Sequence, residues 1–289
     1  MTIQITQKNK YYCLVAGLIE LSFGQKKLSI SQNDYVSLLE TYLQPSDFEL
    51  VKYFLIVYDQ DNLLNTLKEN EKPFDERGIL DKEQIEVLAN TKEIGSVDVS
   101  SGHFYDYLKN LAIHYNNDTP FNAELSWENQ FISEYYEFAF KCRNKFIREW
   151  FTFEMNFNNV ITGIIADLYN LNTEKQLIGT NEVTEAIKSV RAKDFGLARE
   201  YDFIDKLLNL FENATITERE KGIDQIKWEK LNQMTTFFYF SIENVLAYLI
   251  KVRILERWTL LDEEKGRETF EQIIKELKNS YEFPEYFVV

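Results

Sequence analysis

The sequence predicts an all-α protein, on three observations. Prolines stand only at positions 45, 73, 120 and 284, so residues 121–283 contain none, as expected of helices joined by short turns. Apolar residues recur at three- and four-residue spacing: Phe104, Leu108, Leu111 and Tyr115 form one stripe, and Phe238, Ile242, Val245, Leu249 and Val252 another, so each helix has a face to bury. The run Thr217-Glu-Arg-Glu220 has the spacing of a capping box, in which a hydroxyl and a carboxylate satisfy free amides at a helix start.

In chain order, Lys10–Leu18 carries the β-branched and aromatic residues of a strand but is too short to exclude a helix start. Helices follow at about 33–44 and 46–69, parted by Pro45, then a turn at Pro73–Gly78 and a short helix from Asp81. Residues 91–102, with Gly95, Ser96, Ser100, Ser101 and Gly102, read as a loop. The next helix starts at Gly102, and Pro120 lies beyond its end. A long helical region from Ser126 to Tyr169 is expected to kink near Asn156–Asn159, where Asn side chains compete for backbone hydrogen bonds. A loop near Gly179, helices at 181–192 and 198–212, and one long last helix that starts at the Thr217–Glu220 capping box complete the chain. Its stretch Phe238–Val252 carries the apolar stripe, and this last helix is expected to be the most buried.

At 289 residues, 45% apolar and 15% aromatic, the chain has ample material for a core. Of clusters such as Phe131, Tyr135, Tyr136, Phe138, Phe140 and Phe237–Phe240, most lie at helical spacing and are assigned to that core, with an exposed patch for a partner protein as the alternative for a minority. The net charge of −15 opposes binding to nucleic acid or anionic lipid, both of which require neutralisation by Lys and Arg. The basic group Lys141, Arg143, Lys145 and Arg148 is flanked by Glu134, Glu137, Glu149 and Glu154 and reads as a solvated helix face. Cys13 and Cys142 are too few and too far apart for a disulfide framework or a zinc site. The run Tyr11–Leu21 has neither the length of a membrane span nor a cleavage pattern, and Met234–Ile250 contains Glu243 and Asn244, so no membrane span or export signal is expected.

The chemistry-bearing residues form no catalytic pattern. The glycines make neither a Walker loop nor a dinucleotide fingerprint; Gly17 and Gly24 before Lys26 and Lys27 have the wrong spacing. His103 and His114 fall on one helix about 16 Å apart and cannot share a metal ion. The pairs Glu134/Glu137 and Asp202/Asp205 have the spacing of di-iron ligands but lack the accompanying Glu-x-x-His motifs. No cofactor, metal or catalytic residue is therefore assigned.

Three segments instead share an order of residues: an apolar run, an acidic or amide residue, Asn, and two apolar residues. These are Ile56–Leu67 with Asp61-Asn62, Phe153–Ile164 with Asn158-Asn159, and Phe238–Leu249 with Glu243-Asn244. They suggest a three-fold internal pseudo-repeat, with helical subdomains at 1–100, 101–195 and 196–289 joined in one body.

Tyr11-Tyr-Cys-Leu-Val-Ala-Gly-Leu18, Ala192-Lys-Asp-Phe-Gly-Leu197 with Glu200-Tyr-Asp202, and Glu256-Arg-Trp258 with Leu261-Asp262 and Gly266 resemble, in order, the opening, middle and closing blocks of an uncharacterised bacterial family. That family, chiefly from Bacteroidetes, carries a domain of unknown function and is encoded among V-type ATP synthase genes. Ile19 departs from it, standing where Pro is expected. More distantly, the family is similar to the rotor-cap subunit of prokaryotic and eukaryotic V/A-type ATPases, a helical funnel of three like subdomains. The resemblance implies a non-catalytic rotor component that joins the central stalk to the proteolipid ring. It would lie at the cytoplasmic face of the membrane, held there by protein contacts. The alternative is a helical enzyme or small-ligand-binding protein with an unrecognised pocket.

Overall fold

The computed structural model describes residues 10–25, 27–92, 102–173 and 175–260. Among them are eleven α-helices and no strand: α1 (Tyr12–Gly17), α2 (Gln32–Tyr42), α3 (Pro45–Leu67), α4 (Lys82–Ala89), α5 (His103–Asn116), α6 (Trp127–Phe140), α7 (Lys145–Tyr169), α8 (Glu182–Ser189), α9 (Phe203–Asn213), α10 (Ile216–Thr235) and α11 (Ile242–Leu260). The opening segment, open between strand and helix in the sequence, forms α1. Most of the loop expected at 91–102 lies outside the described residues.

Contacts divide the chain into two units, one of residues 43–234 and one formed from both ends, 1–42 and 235–289. In the terminal unit α11 packs on α2, burying Tyr35, Leu39, Val245, Leu246, Leu249 and Val252 completely. The Tyr35 hydroxyl donates to the Val245 carbonyl (3.2 Å), and the Tyr248 hydroxyl donates to the Ile19 carbonyl (2.9 Å). Burial raises the Tyr35 hydroxyl well above its ordinary pKa, so it remains a donor. The expectation that α11 is deeply buried holds for its body.

In the larger unit α3 packs against α4, α5 and α6, and α7 against α6, α8 and α9. Its core is aromatic: Phe54 stacks on Phe151 at 5.3 Å, Tyr135 meets Phe151 edge-on at 5.1 Å, and Phe153 and Phe157 both meet Phe203 edge-on. Phe131, Tyr135 and Tyr136 are buried as expected.

Four local expectations are corrected. The single long last helix is two, α10 ending at Thr235 and α11 starting at Ile242. The long region from Ser126 to Tyr169 is two helices, broken at 141–144, where the Asn144 side chain accepts from Ile147 N and starts α7. No break occurs at Asn156–Asn159, because those side chains bond to groups outside α7 instead of its own backbone. The capping box at the start of α10 lies two residues earlier than predicted: Glu218 N donates to Thr215 Oγ1, and Thr215 N donates to Glu218 Oε2 at 2.9 Å.

The Ala192–Leu197 block has a definite packing role. Phe195 and Gly196 both take positive φ (54° and 71°), and the turn drives the buried Phe195 ring against α7 at Gly163. A Cβ at Gly163 would lie 2.9 Å from Ile187 Cγ2 and 3.0 Å from Phe195 Cζ. Gly163→Ala gains about 1 kcal/mol of helix propensity but overpacks this contact by about 1–3 kcal/mol. The expected outcome is a net loss of stability, seen as a lower urea midpoint; an unchanged or raised midpoint would contradict the packing.

Candidate functional site

The sequence-predicted residues Asn62 and Asn159 lie on α3 and α7, and both are buried. Asn62 Nδ2 donates to the Asp75 carbonyl at 2.8 Å while its Oδ1 accepts from Asp75 N at 2.9 Å. Asn159 does the same with Ile178, at 2.8 and 2.9 Å. A carboxamide has the donor–acceptor geometry of a peptide group, so each Asn clasps one loop residue as a neighbouring strand would.

Each clasp has a second member that the sequence reading misses, one helical turn earlier. Asp59, wholly buried, accepts from Ile79 N (2.7 Å) and Leu80 N (3.0 Å), directly before the capping residue of α4, Asp81. Asn156 Oδ1 accepts from Nδ2 of Asn181, the capping residue of α8, at 2.7 Å. The signal is present as Asp59-x-x-Asn62 and Asn156-x-x-Asn159, since residues three apart share a helix face.

The third segment departs from this bonding. Asn244 lies in the first turn of α11, half-buried, and its Nδ2 donates to the carbonyl of Tyr239 (2.8 Å), in the loop before its own helix. Ser241, three residues earlier, donates to the Phe238 carbonyl at 3.3 Å. The residues preceding the three Asn also differ. Asp61 and Asn158 are exposed, with Asn158 Nδ2 reaching the Tyr136 hydroxyl at 3.1 Å, whereas Glu243 is buried.

Between α7, residues 200–203 and α10 lies a cleft of ≈ 490 Å³, lined among others by Arg148, Phe153, Asn156, Tyr201, Lys206 and Lys230. Lys206 Nζ meets Glu229 Oε2 at 2.7 Å, which holds that carboxyl below its ordinary pKa, and Lys230 Nζ sits 5.4 Å from the Phe153 ring centre. Burial raises the Tyr201 hydroxyl. Carboxylates of Glu149, Glu200, Asp202 and Glu229 also face the cleft, but neither His103 nor His114 lines it.

One aromatic cluster is corrected. The sequence assigns Phe237, Phe238, Tyr239 and Phe240 to the core, but the loop that carries them is exposed, with Phe237 at 88% and Tyr239 at 67%. The apolar periodicity runs on through Phe238, whereas α11 begins at Ile242. Among the described residues, no three His, Cys, Asp or Glu side chains come together as metal ligands, and no helix is long and apolar enough to cross a membrane.

Residues 8–281 match the model of a family described as "Protein of unknown function (DUF2764)". The chain belongs to this family. No curated protein and no solved structure matches it. The three sequence blocks have definite places in this DUF2764 member. Tyr11 N, in the opening block, donates to the Phe240 carbonyl at 2.7 Å; Tyr201, in the middle block, lines the cleft; and Glu256 Oε1, in the closing block, accepts from Gln32 N at 3.2 Å, at the start of α2.

The clasps make the three Asn unequal. Asn62→Ala and Asn159→Ala each strand a buried N–H and C=O and should lower stability by about 2–4 kcal/mol. Asn244→Ala, at a half-exposed site, should cost less than about 1 kcal/mol; equal losses at all three sites in chemical denaturation would contradict the distinction. Asp59 adds a dependence on pH. Burial outweighs its two backbone donors and pushes the carboxyl up from 3.8 to about 6. The folded state then holds its proton more tightly than the unfolded state. The stability contribution is full below about pH 4 and is lost as pH rises through about 6, by on the order of 3 kcal/mol. Asp59→Asn should flatten stability between pH 4 and 6, which urea melts across that range would reveal.

Proposed function

We propose that this DUF2764 protein is a non-catalytic rotor component of a V-type ATPase or ATP synthase. It is similar in role to the rotor cap of V/A-type machines, and couples the central stalk to the proteolipid ring during ion transport. The observation that carries the reading is the shared bonding of Asn62 and Asn159, each holding one loop residue through the same two hydrogen bonds. The rotor-cap resemblance rests on repeated helical subdomains, and a clasp repeated 97 residues apart supports a repeat at the level of bonding as well as sequence. The third segment keeps the residue order but uses its Asn on the preceding loop, so the subdomains at 1–100, 101–195 and 196–289 belong to this proposal in that modified form.

Torque passes through a rotor component only as well as its elements resist bending, and buried hydrogen bonds that tie loops to helices stiffen such a body. The charge of −15 favours basic surfaces on the stalk and ring, chiefly by speeding encounter. The protein would thus sit at the cytoplasmic face of the membrane through its partners. The cleft beside Tyr201 favours a second reading, as a small-ligand-binding protein.

The test is to tag the protein in its native host, solubilise membranes gently and identify what co-purifies. Stalk and ring proteins in fixed proportion are expected, at a yield that falls with salt. Intact ATPase that purifies without the protein would favour the second reading.

A further inference from the structure

We propose that the loop Phe237–Phe240, with Tyr12 beside it, is a lipid-interface anchor that seats the protein in the headgroup region of a zwitterionic bilayer. Four consecutive aromatic residues are exposed together, and such a patch marks a surface built for a partner. Tyr12, itself half-exposed, extends the patch, its ring centre lying 4.8 Å from that of Phe240.

Lipid is favoured as the partner because three of the loop's four carbonyls already have donors. The Phe238 carbonyl accepts from Ser241 Oγ (3.3 Å), the Tyr239 carbonyl from Asn244 Nδ2 (2.8 Å), and the Phe240 carbonyl from Tyr11 N (2.7 Å). Backbone groups without an internal partner stay at the hydrated headgroup level, which sets the depth of the loop there. The same bonds fix the loop before binding, so little ordering entropy is lost on contact. Aromatic rings with a polar edge, such as Tyr12 and Tyr239, settle at the headgroup level.

The distribution of charge agrees. Residues 43–234 hold 34 acidic and 21 basic side chains, net −13, whereas residues 1–42 and 235–289 hold 13 and 11, net −2. The aromatic loop thus belongs to the nearly neutral unit. Lys10 Nζ lies 5.8 Å from the Tyr12 ring centre, at the edge of the patch, where it can meet a lipid phosphate. With −15 overall, attraction to anionic lipid cannot supply the binding.

This inference does not depend on the rotor reading, since a cap held by protein contacts alone has no affinity for pure lipid. The experiment floats the full-length protein with vesicles of phosphatidylcholine alone and of phosphatidylcholine with one third phosphatidylserine. The wild-type protein is expected to float with the first and less with the second at low salt. Phe237→Ser with Tyr239→Ser should lower the bound fraction about tenfold or more, with an unchanged circular dichroism spectrum because both rings are exposed. Asn244→Ala, which releases the Tyr239 carbonyl, should weaken binding several-fold. Absence of binding to phosphatidylcholine, equal binding by the double variant, or binding that requires phosphatidylserine would each overturn the proposal. So would a loop-dependent dimer that does not float.

Discussion

A side-chain amide standing in for a peptide group is the interaction on which much of the larger unit depends. Asn62 and Asn159 each hold both backbone groups of one loop residue, 13 and 19 positions further along the chain. The loop is returned to the helix it came from, and the next helix begins at once: Asp81 caps α4 and Asn181 caps α8, both with reciprocal capping boxes. The companion residues Asp59 and Asn156 bond at or beside those caps, so the clasp and the helix start form one hydrogen-bonded unit. Because a buried donor or acceptor that loses its partner costs more than a satisfied one contributes, loss of any one member weakens the whole unit.

The same constraint explains residues that look ordinary in the sequence. A Cβ on Gly78 would fall on the Asp59 carboxylate, which its two backbone donors hold in place. Gly179 follows the clasped Ile178 directly and turns the chain at φ +76°, with its Cα facing Met155. A side chain is excluded at Gly78 by the Asp59 carboxylate and disfavoured at Gly179 by its positive φ.

The terminal unit uses the same residue pattern in the opposite direction. Ser241 and Asn244 secure the loop that precedes their helix, and that loop presents aromatic rings to solvent. An Asn that in two segments keeps a loop against the core thus, in the third, holds a loop that presents an apolar surface. The acidic surplus lies mainly in residues 43–234, leaving the unit with the exposed rings close to neutral. The exposed rings and most of the acidic surplus are therefore carried by different parts of the chain.

By itself the sequence determined the helical class, most helix positions and the aromatic core around Phe131, Tyr135 and Tyr136, and it marked the three Asn by a shared order of residues. These follow from spacing and composition, which are local properties that survive without knowledge of contacts. Only the tertiary structure decided what those Asn bond to, because their partners lie in loops whose path is set by packing. The companions Asp59 and Asn156 show this: their spacing from the Asn was visible, but burial and the distant N–H groups that give it meaning were not. Phe238–Phe240 show the converse. Their spacing continued the apolar stripe of α11, yet the helix begins at Ile242, and an apolar ring joins a core only where another element arrives to cover it.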